Sequence, residues 1–205
     1  MQRIVDLSYK YRLSHVSSSL TTYPILESIY KMKKENDIVV LSSGHAGLAL
    51  YAALEAFENR DADELYKAHG THPHRDPANG IHASSGSLGL GILIAVGLAL
   101  ADRARDVYCV VSDGECSEGS VWEALSFARL HSLDNLHIHV NANGYSAYQD
   151  VNVSYLETKI EAFFPRAKVW KTIYPDVPFM QGLQAHYHVM SASDRDVLSK
   201  LVSHT

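Results

Sequence analysis

Cysteine and positive charge are both scarce. The 205 residues hold two Cys, and 18 Lys and Arg stand against 23 Asp and Glu, for a formal net charge of -5. Cys109 and Cys116 flank one turn, and a lone pair neither builds a disulfide framework nor completes a zinc site, so the chain is expected in a reducing cytoplasm. The absence of a basic run excludes sequence-independent nucleic-acid binding, which needs a cationic face to displace counterions. No apolar run reaches bilayer length. The longest, LGLGILIAVGLALA, is too short to span a membrane and too far from the N-terminus to be a signal core. It reads as a buried helix, and no membrane partner is expected. Repeats and low-complexity tracts are missing as well. At 46% hydrophobic and 20% charged, residues 1–205 read as one globular α/β domain with a sizeable core.

What is present centres on VYCVVSDGECSEGSVWEAL. Val107 to Val111 form an apolar β-type run, Asp113-Gly114 is a turn signal, and Val121, Ala124, Leu125 and Ala128 recur at helical spacing. Leu136 to Val140 predicts a second short strand with His137 and His139 on one face, closed by Asn141, Asn143 and Gly144. The unit is βαβ, and both polar clusters lie at the carboxyl ends of its strands, where open parallel sheets bind ligands. Around it, residues 2–14 and 23–33 predict helices joined by the Ser/Thr-rich connection SHVSSSLTT. DIVVLSS predicts a strand and GHAGLALYAALEAF a helix. Residues 69–91, rich in Gly, Pro and His, describe a long loop of the kind that carries function. Beyond residue 150, YLETKIEAFF predicts a helix, AKVWKTIY a strand, and PDVPFMQGLQAHYHVMS irregular structure.

Twelve histidines are many, and His15, His45, His69, His72, His74, His82, His186 and His188 fall in loop-like segments. HGTHPH could gather imidazoles on a transition metal, but its Gly/Pro-rich backbone promises no fixed geometry. Hydrogen bonding to a polyhydroxylated substrate suits scattered loop histidines better. His131, His137, His139 and His204 read as solvated or locally satisfied. SSGSLGLG before a helix suggests either a phosphate-cradling loop or glycines that permit close helix packing; it has neither the Rossmann nor the Walker spacing. Asp113 and Asn143 offer two hard oxygens from adjacent strand ends, with the Tyr145 carbonyl as a third. Mg2+ (or Ca2+) prefers such ligands and takes its remaining positions from phosphate and water. The alternative is that Asp113 caps the following helix and Asn143 tolerates a left-handed turn.

SDGECSEG followed by NANGYS resembles the thiamine diphosphate motif of transketolases, which begins Gly-Asp-Gly, continues to Glu-Gly and ends in Asn about thirty residues on. SHVSSSLTTYPIL, LSSGHAGLALYAAL, THP and ASSGSLGLGI are similar to further segments of that family in the same order, covering most of residues 1–150. The resemblance implies a parallel sheet flanked by helices, the thiamine diphosphate-binding fold. It implies that Asp113, Asn143 and the Tyr145 carbonyl hold Mg2+ on the diphosphate, that Gly114 lets the backbone approach it, and that His45 lies near the cofactor. Gly86 and Leu88 would line its rings, and Glu118 would reach a partner across an interface. His15, His72 and His186 would serve the substrate, with His188 nearly as good a match as His186.

There are departures. Ser112 and Thr71 stand where the family has glycine, and the region from about 150 is shortened, so that an element at the sheet edge is expected to be missing. The resemblance also ends where the family's first domain ends. It therefore implies a split enzyme that transfers a two-carbon ketol unit from a ketose phosphate to an aldose acceptor. A second subunit would carry the pyrimidine-binding domain with the activating Glu, and two copies of each chain would make a heterotetramer. The rival readings are a 2-oxo-acid dehydrogenase α subunit or a noncatalytic binding subunit that keeps the fold.

Overall fold

The computed structural model describes residues 1–146 and 149–203; His204 lies outside them. Four parallel strands in the order β1-β2-β3-β4 make the sheet: β1 (Ile38–Leu41), β2 (Val107–Ser112), β3 (Leu136–Ala142) and β4 (Lys168–Lys171). Strand alternation divides the interior in two. Val39 and Leu41 of β1 with Tyr108 and Val110 of β2 face one hydrophobic cluster, whereas Ile38, Val40, Val107, Cys109 and Val111 face the other. The first cluster is closed by α1 (Gln2–Lys10), α2 (Val16–Met32), α3 (Gly47–Glu58), α4 (Ala62–His69) and, after β4, by α8 (Ala192–Val202). The second is closed by α5 (Gly91–Ala101), α6 (Gly119–Leu130) and α7 (Val153–Phe163). Both sheet faces are covered, which is why the central strands read as unbroken apolar runs. The Val107 register with Leu136 and the Ser112 register with Asn141 bring the carboxyl ends of β2 and β3 side by side.

Two expectations change. The Ser/Thr-rich segment is not a connection: it forms the first turns of α2, and Ser17, Ser18, Ser19, Thr21 and Thr22 are all buried. Small hydroxylated residues favour turns locally because they compete with the backbone for hydrogen bonds. Here that capacity is used inside the fold. The Thr21 hydroxyl donates back to the Ser17 carbonyl at 3.0 Å, and the Asn141 amide donates to Thr21 and Thr22 at 3.1 and 3.0 Å.

The apolar helix α5 is the second correction, because it is buried on one side only. Leu90, Leu93, Ile94 and Leu100 are exposed at 47, 40, 37 and 41%, and nothing lies within 4 Å of where a Gly97 side chain would start. With Gly97, the three leucines and Ile94 form an uncharged stripe that runs away from the loop before the helix. No helix of the described residues is long and apolar enough to cross a membrane.

The remaining sequence expectations fare variously. Cys109 and Cys116 are buried free thiols. His137 pairs with Asp106 at 2.8 Å and stacks on Tyr108, while His139 accepts from the Trp170 indole at 3.0 Å, so both are satisfied locally. Ser112 has no positive φ and completes β2, so a glycine is not required there. The shortened region still supplies α7 and β4, and β4 is the sheet's edge. Helix α4, absent from the sequence reading, starts at an Asp61 cap that accepts from Asp63 and Glu64 amides.

Candidate functional site

The carboxyl ends of the strands turn directly into the site. A cleft there is lined by His15, Ser18, His45, Leu88, Ser112, Asp113, Gly114, Asn143, Tyr145, Ser146, His186 and Tyr187. The structure thus gathers eight of the sequence-predicted residues: His15, His45, Leu88, Asp113, Gly114, Asn143, Tyr145 and His186. His72 lies in an adjoining hollow shared with His15 and His45. Gly86 packs beneath it, since an added Cβ would meet the His72 ring at 3.2 Å. Glu118 is exposed at the start of α6, outside the cleft and against Gly89.

Asp113 follows β2 and is 1% exposed. Its carboxylate accepts from the Gly144 amide at 2.7 Å and the Gly114 amide at 3.0 Å, so it caps the short turn Gly114–Ser117 rather than α6. Burial pushes its pKa up to about 6 against those backbone donors. No ion pair reaches it among the described residues. Asn143 follows β3; its amide oxygen accepts from the Tyr145 amide at 3.0 Å, and the left-handed residue of that turn is Gly144, at φ 89, not Asn143. A Cβ on Gly114 would sit 3.3 Å from Ser146 Cα and 3.8 Å from the Tyr145 carbonyl oxygen, so this backbone leaves a side-chain-free cradle beside Asp113. A buried carboxylate without a counter-ion, a side-chain amide oxygen and a carbonyl facing the same cradle fit a hard divalent cation and an anionic ligand. Among the described residues no group of three or more His, Cys, Asp or Glu is placed to hold a metal, the HGTHPH histidines included.

Histidines line the other wall. His15 occupies the left-handed position before α2, φ 61, tied by its amide to the His186 carbonyl at 2.9 Å. Its ring lies 5.5 Å from that of His45 and 5.6 Å from that of His186. Burial, helped by the neighbouring imidazoles His186 and His72, pulls His15 down to about 4; burial and the same cluster pull His45 down to about 3. Burial lowers His186 too. These rings are therefore neutral near pH 7, able to accept a proton. The His186 Nε2 lies 3.2 Å from the Ser146 carbonyl, an acceptor only, so Nε2 donates and Nδ1 keeps its lone pair. That buried Nδ1 has no hydrogen-bond partner among the described residues. His188 is instead held by Asp194 at 3.0 Å, in the cap of α8.

Sequence reasoning missed Ser18, Ser146 and Tyr187 in the cleft wall, and Glu115 directly beneath it. Glu115 had a signal, an acid two residues after Asp113 inside the same turn.

The fold and the strand-end cluster define a doubly covered parallel α/β domain with a buried carboxylate and a histidine-lined cleft at the carboxyl edge of its sheet. Residues 30–177 match the family described as transketolase, thiamine diphosphate binding domain, and the chain belongs to that family. It is 36% identical over 180 residues to the 6-deoxy-6-sulfo-D-fructose transketolase subunit SqwG of Clostridium sp. (strain MSTE9), covering 75% of this chain and 65% of that protein. It is 33% identical over 155 residues to an apulose-4-phosphate transketolase subunit of Phocaeicola vulgatus, covering 66% of this chain and 55% of that one. The chain thus spans less than two thirds of either relative. The transketolase structures from Leishmania mexicana (TM-score 0.71, 21% identity, 83% of this chain and 35% of that) and Campylobacter jejuni (TM-score 0.69, 23%, 90% and 40%) share the fold.

Proposed function

We propose that residues 1–205 form one domain serving as the thiamine diphosphate- and Mg2+-binding subunit of a split transketolase-like enzyme. It would move a two-carbon ketol unit from a ketose phosphate to an aldose. The observation that carries this reading is the buried Asp113 carboxylate, paired with no cationic side chain among the described residues and facing the Gly114 cradle beside Asn143 and the Tyr145 carbonyl, next to a wall of neutral imidazoles. Asp113, Asn143 and Tyr145 would hold the metal on the diphosphate, and His45, Gly86 and Leu88 would line the cofactor. Thiamine diphosphate, when bound, supplies the nucleophilic carbon and the electron sink that allow a bond beside a ketose carbonyl to break. His15, His72 and His186 would bind the sugar hydroxyls and hold or release their protons.

A second polypeptide completes the site in this reading. The cleft measures about 170 Å³ and the adjoining hollow of His72 about 670 Å³, and both open to the surface, so in this reading the chain offers one wall of the site. The uncharged α5 stripe begins at the loop carrying Leu88, so whatever covers it also reaches the cleft. That partner would bring the pyrimidine-binding domain and its activating Glu, with Glu118 at the interface, in a heterotetramer of two copies of each chain. Both relatives carry the word subunit in their names, which supports the arrangement.

The test is ketol transfer by the purified chain with and without the neighbouring-gene candidate for the second subunit. Turnover is expected only from the pair. Full activity of the chain alone would refute the split, and inactivity of a cofactor-loaded pair would favour a noncatalytic binding subunit. Within the active pair, His15→Ala or His72→Ala is expected to lower turnover about 100- to 10,000-fold, the range for a lost proton-transfer group. Cofactor affinity should stay nearly intact; equal loss of that affinity would move both residues to the cofactor. Leu93→Glu or Ile94→Glu is expected to weaken association between the two chains at least about tenfold, because a carboxylate would be placed in an apolar contact. Analytical ultracentrifugation reads the loss, while the variant chain keeps its circular dichroism.

A further inference from the structure

Glu115 takes no part in the roles assigned so far, yet it is the most completely enclosed acid of the site region, 0% exposed. A buried charge is costly unless its oxygens are satisfied, and among the described residues no cation lies within ion-pair reach of this one. Its oxygens are satisfied by neutral donors from three separate segments. Oε1 accepts from the Ser42 hydroxyl at 2.6 Å and the Gly89 amide at 3.0 Å; Oε2 accepts from the Ser112 amide at 3.0 Å and the Ser112 hydroxyl at 3.4 Å. Ser42 follows β1 and leads into the turn of His45. Gly89 belongs to the loop of Gly86 and Leu88, and Ser112 precedes Asp113. Each anchored segment therefore carries a proposed cofactor contact.

The Gly89 loop is also held from its other side. Ser120 donates to the Gly89 carbonyl at 3.1 Å, and Gly89 sits at φ 76, where a side chain would strain the backbone and meet Ser120 and Glu118. Ser42 passes the connection on by accepting the Ile92 amide of α5 at 3.2 Å. An apolar residue at position 115 would fill the space but hold none of these donors.

We propose that Glu115 is a positioning residue: its two-sided carboxylate fixes the Leu88 wall and the His45 turn at a set distance from the Asp113–Asn143 edge. Cofactor affinity then depends on Glu115 more than the fold does. This rests on the cofactor reading above. Glu115→Gln keeps the volume but turns one oxygen into an NH2 that faces either the Gly89 or the Ser112 amide, donor against donor.

The experiment combines amide hydrogen exchange of the full chain without cofactor with calorimetric titration of thiamine diphosphate in Mg2+ on the chain together with its partner. In Glu115→Gln, exchange should quicken at Gly89 or at Ser112, the last residue of β2, and in the loop between residues 86 and 92, with the rest of the strands unchanged. Affinity should fall about 10- to 100-fold, as for a lost charge-assisted hydrogen bond, while the KM for the sugar holds. Ser42→Ala, which leaves the carboxylate in place, serves if Glu115→Gln does not fold, and is expected to cost about tenfold in affinity. Unchanged affinity in a folded variant overturns the proposal, as does exchange that quickens over the whole chain in step with the affinity loss. A wild-type pair that fails to bind thiamine diphosphate overturns the cofactor reading itself, and the exchange pattern still decides whether Glu115 holds the loop.

Discussion

Asp113→Ala and Asn143→Ala are each expected to lower thiamine diphosphate affinity in Mg2+ by roughly 100-fold or more, since even residues that only support metal ligands are worth about 10- to 100-fold. The geometry is the reason. Asp113 and Asn143 end adjacent parallel strands held in register, so each contributes an oxygen to the same cradle and neither can be replaced by the other. Mg2+ demands near-octahedral geometry, and a missing protein oxygen must be replaced by water without the same preorganisation. The folded state should survive in both variants. Asp113→Ala loses the Gly114 and Gly144 amide bonds but also a buried carboxylate whose ionisation burial opposes, and among the described residues the Asn143 side chain accepts from the Tyr145 amide of its own turn. Calorimetric titration in Mg2+, repeated in Ca2+ and in chelator, measures the effect. Wild-type affinity in both variants would remove the metal from this edge; loss in only one would leave the other residue outside the coordination.

The stability of the cation-free chain should fall steeply as pH drops from about 6.5 toward 4. His15 is lowered to about 4 and His45 to about 3, each chiefly by burial, and His139, lowered to about 4 by burial and then by Lys168 and His137, behaves in the same way. Below pH 6.5 the unfolded chain takes up protons on these residues while the folded chain does not. Stability therefore rises with pH across the window and is fully present above it. Asp113 runs the other way: raised to about 6 by burial, it binds its proton earlier in the folded state and offsets part of the slope below pH 6. Three histidines outweigh it, so the net slope should exceed one proton, about 1.4 kcal/mol per pH unit. His45→Gln should flatten the slope by about one proton over the same range. Urea unfolding at several pH values, in chelator, reads it. A slope of zero, or one that ignores His45→Gln, would mean that the imidazole cluster titrates normally in the folded chain.

The sequence alone determined the elements whose local chemistry and long-range packing agree. The apolar run into Asp113-Gly114, the helical spacing after it and the second strand form β2, α6 and β3, because strand propensity, turn residues and burial point the same way, although Asn141, read as a closing turn residue, lies within β3, which runs on to Ala142. The same agreement made the strand-end polar cluster, and with it the family, legible. Only the tertiary structure decided the rest. Ser17 to Thr22 became helix where the space beneath β3 buries small side chains and Asn141 binds the Thr21 and Thr22 hydroxyls, a gain no local propensity contains. Helix α5 shows one apolar side to the surface, since a sequence that is apolar all round does not say which face its own sheet will cover. His186 lines the cleft, its carbonyl bound to the His15 amide just before α2, while His188 is tied to Asp194 of the Ser191 capping box of α8. Glu115 went unread because its partners, Ser42 and Gly89, stand 73 and 26 residues away. A buried charge acquires a role only when the chain folds its donors around it.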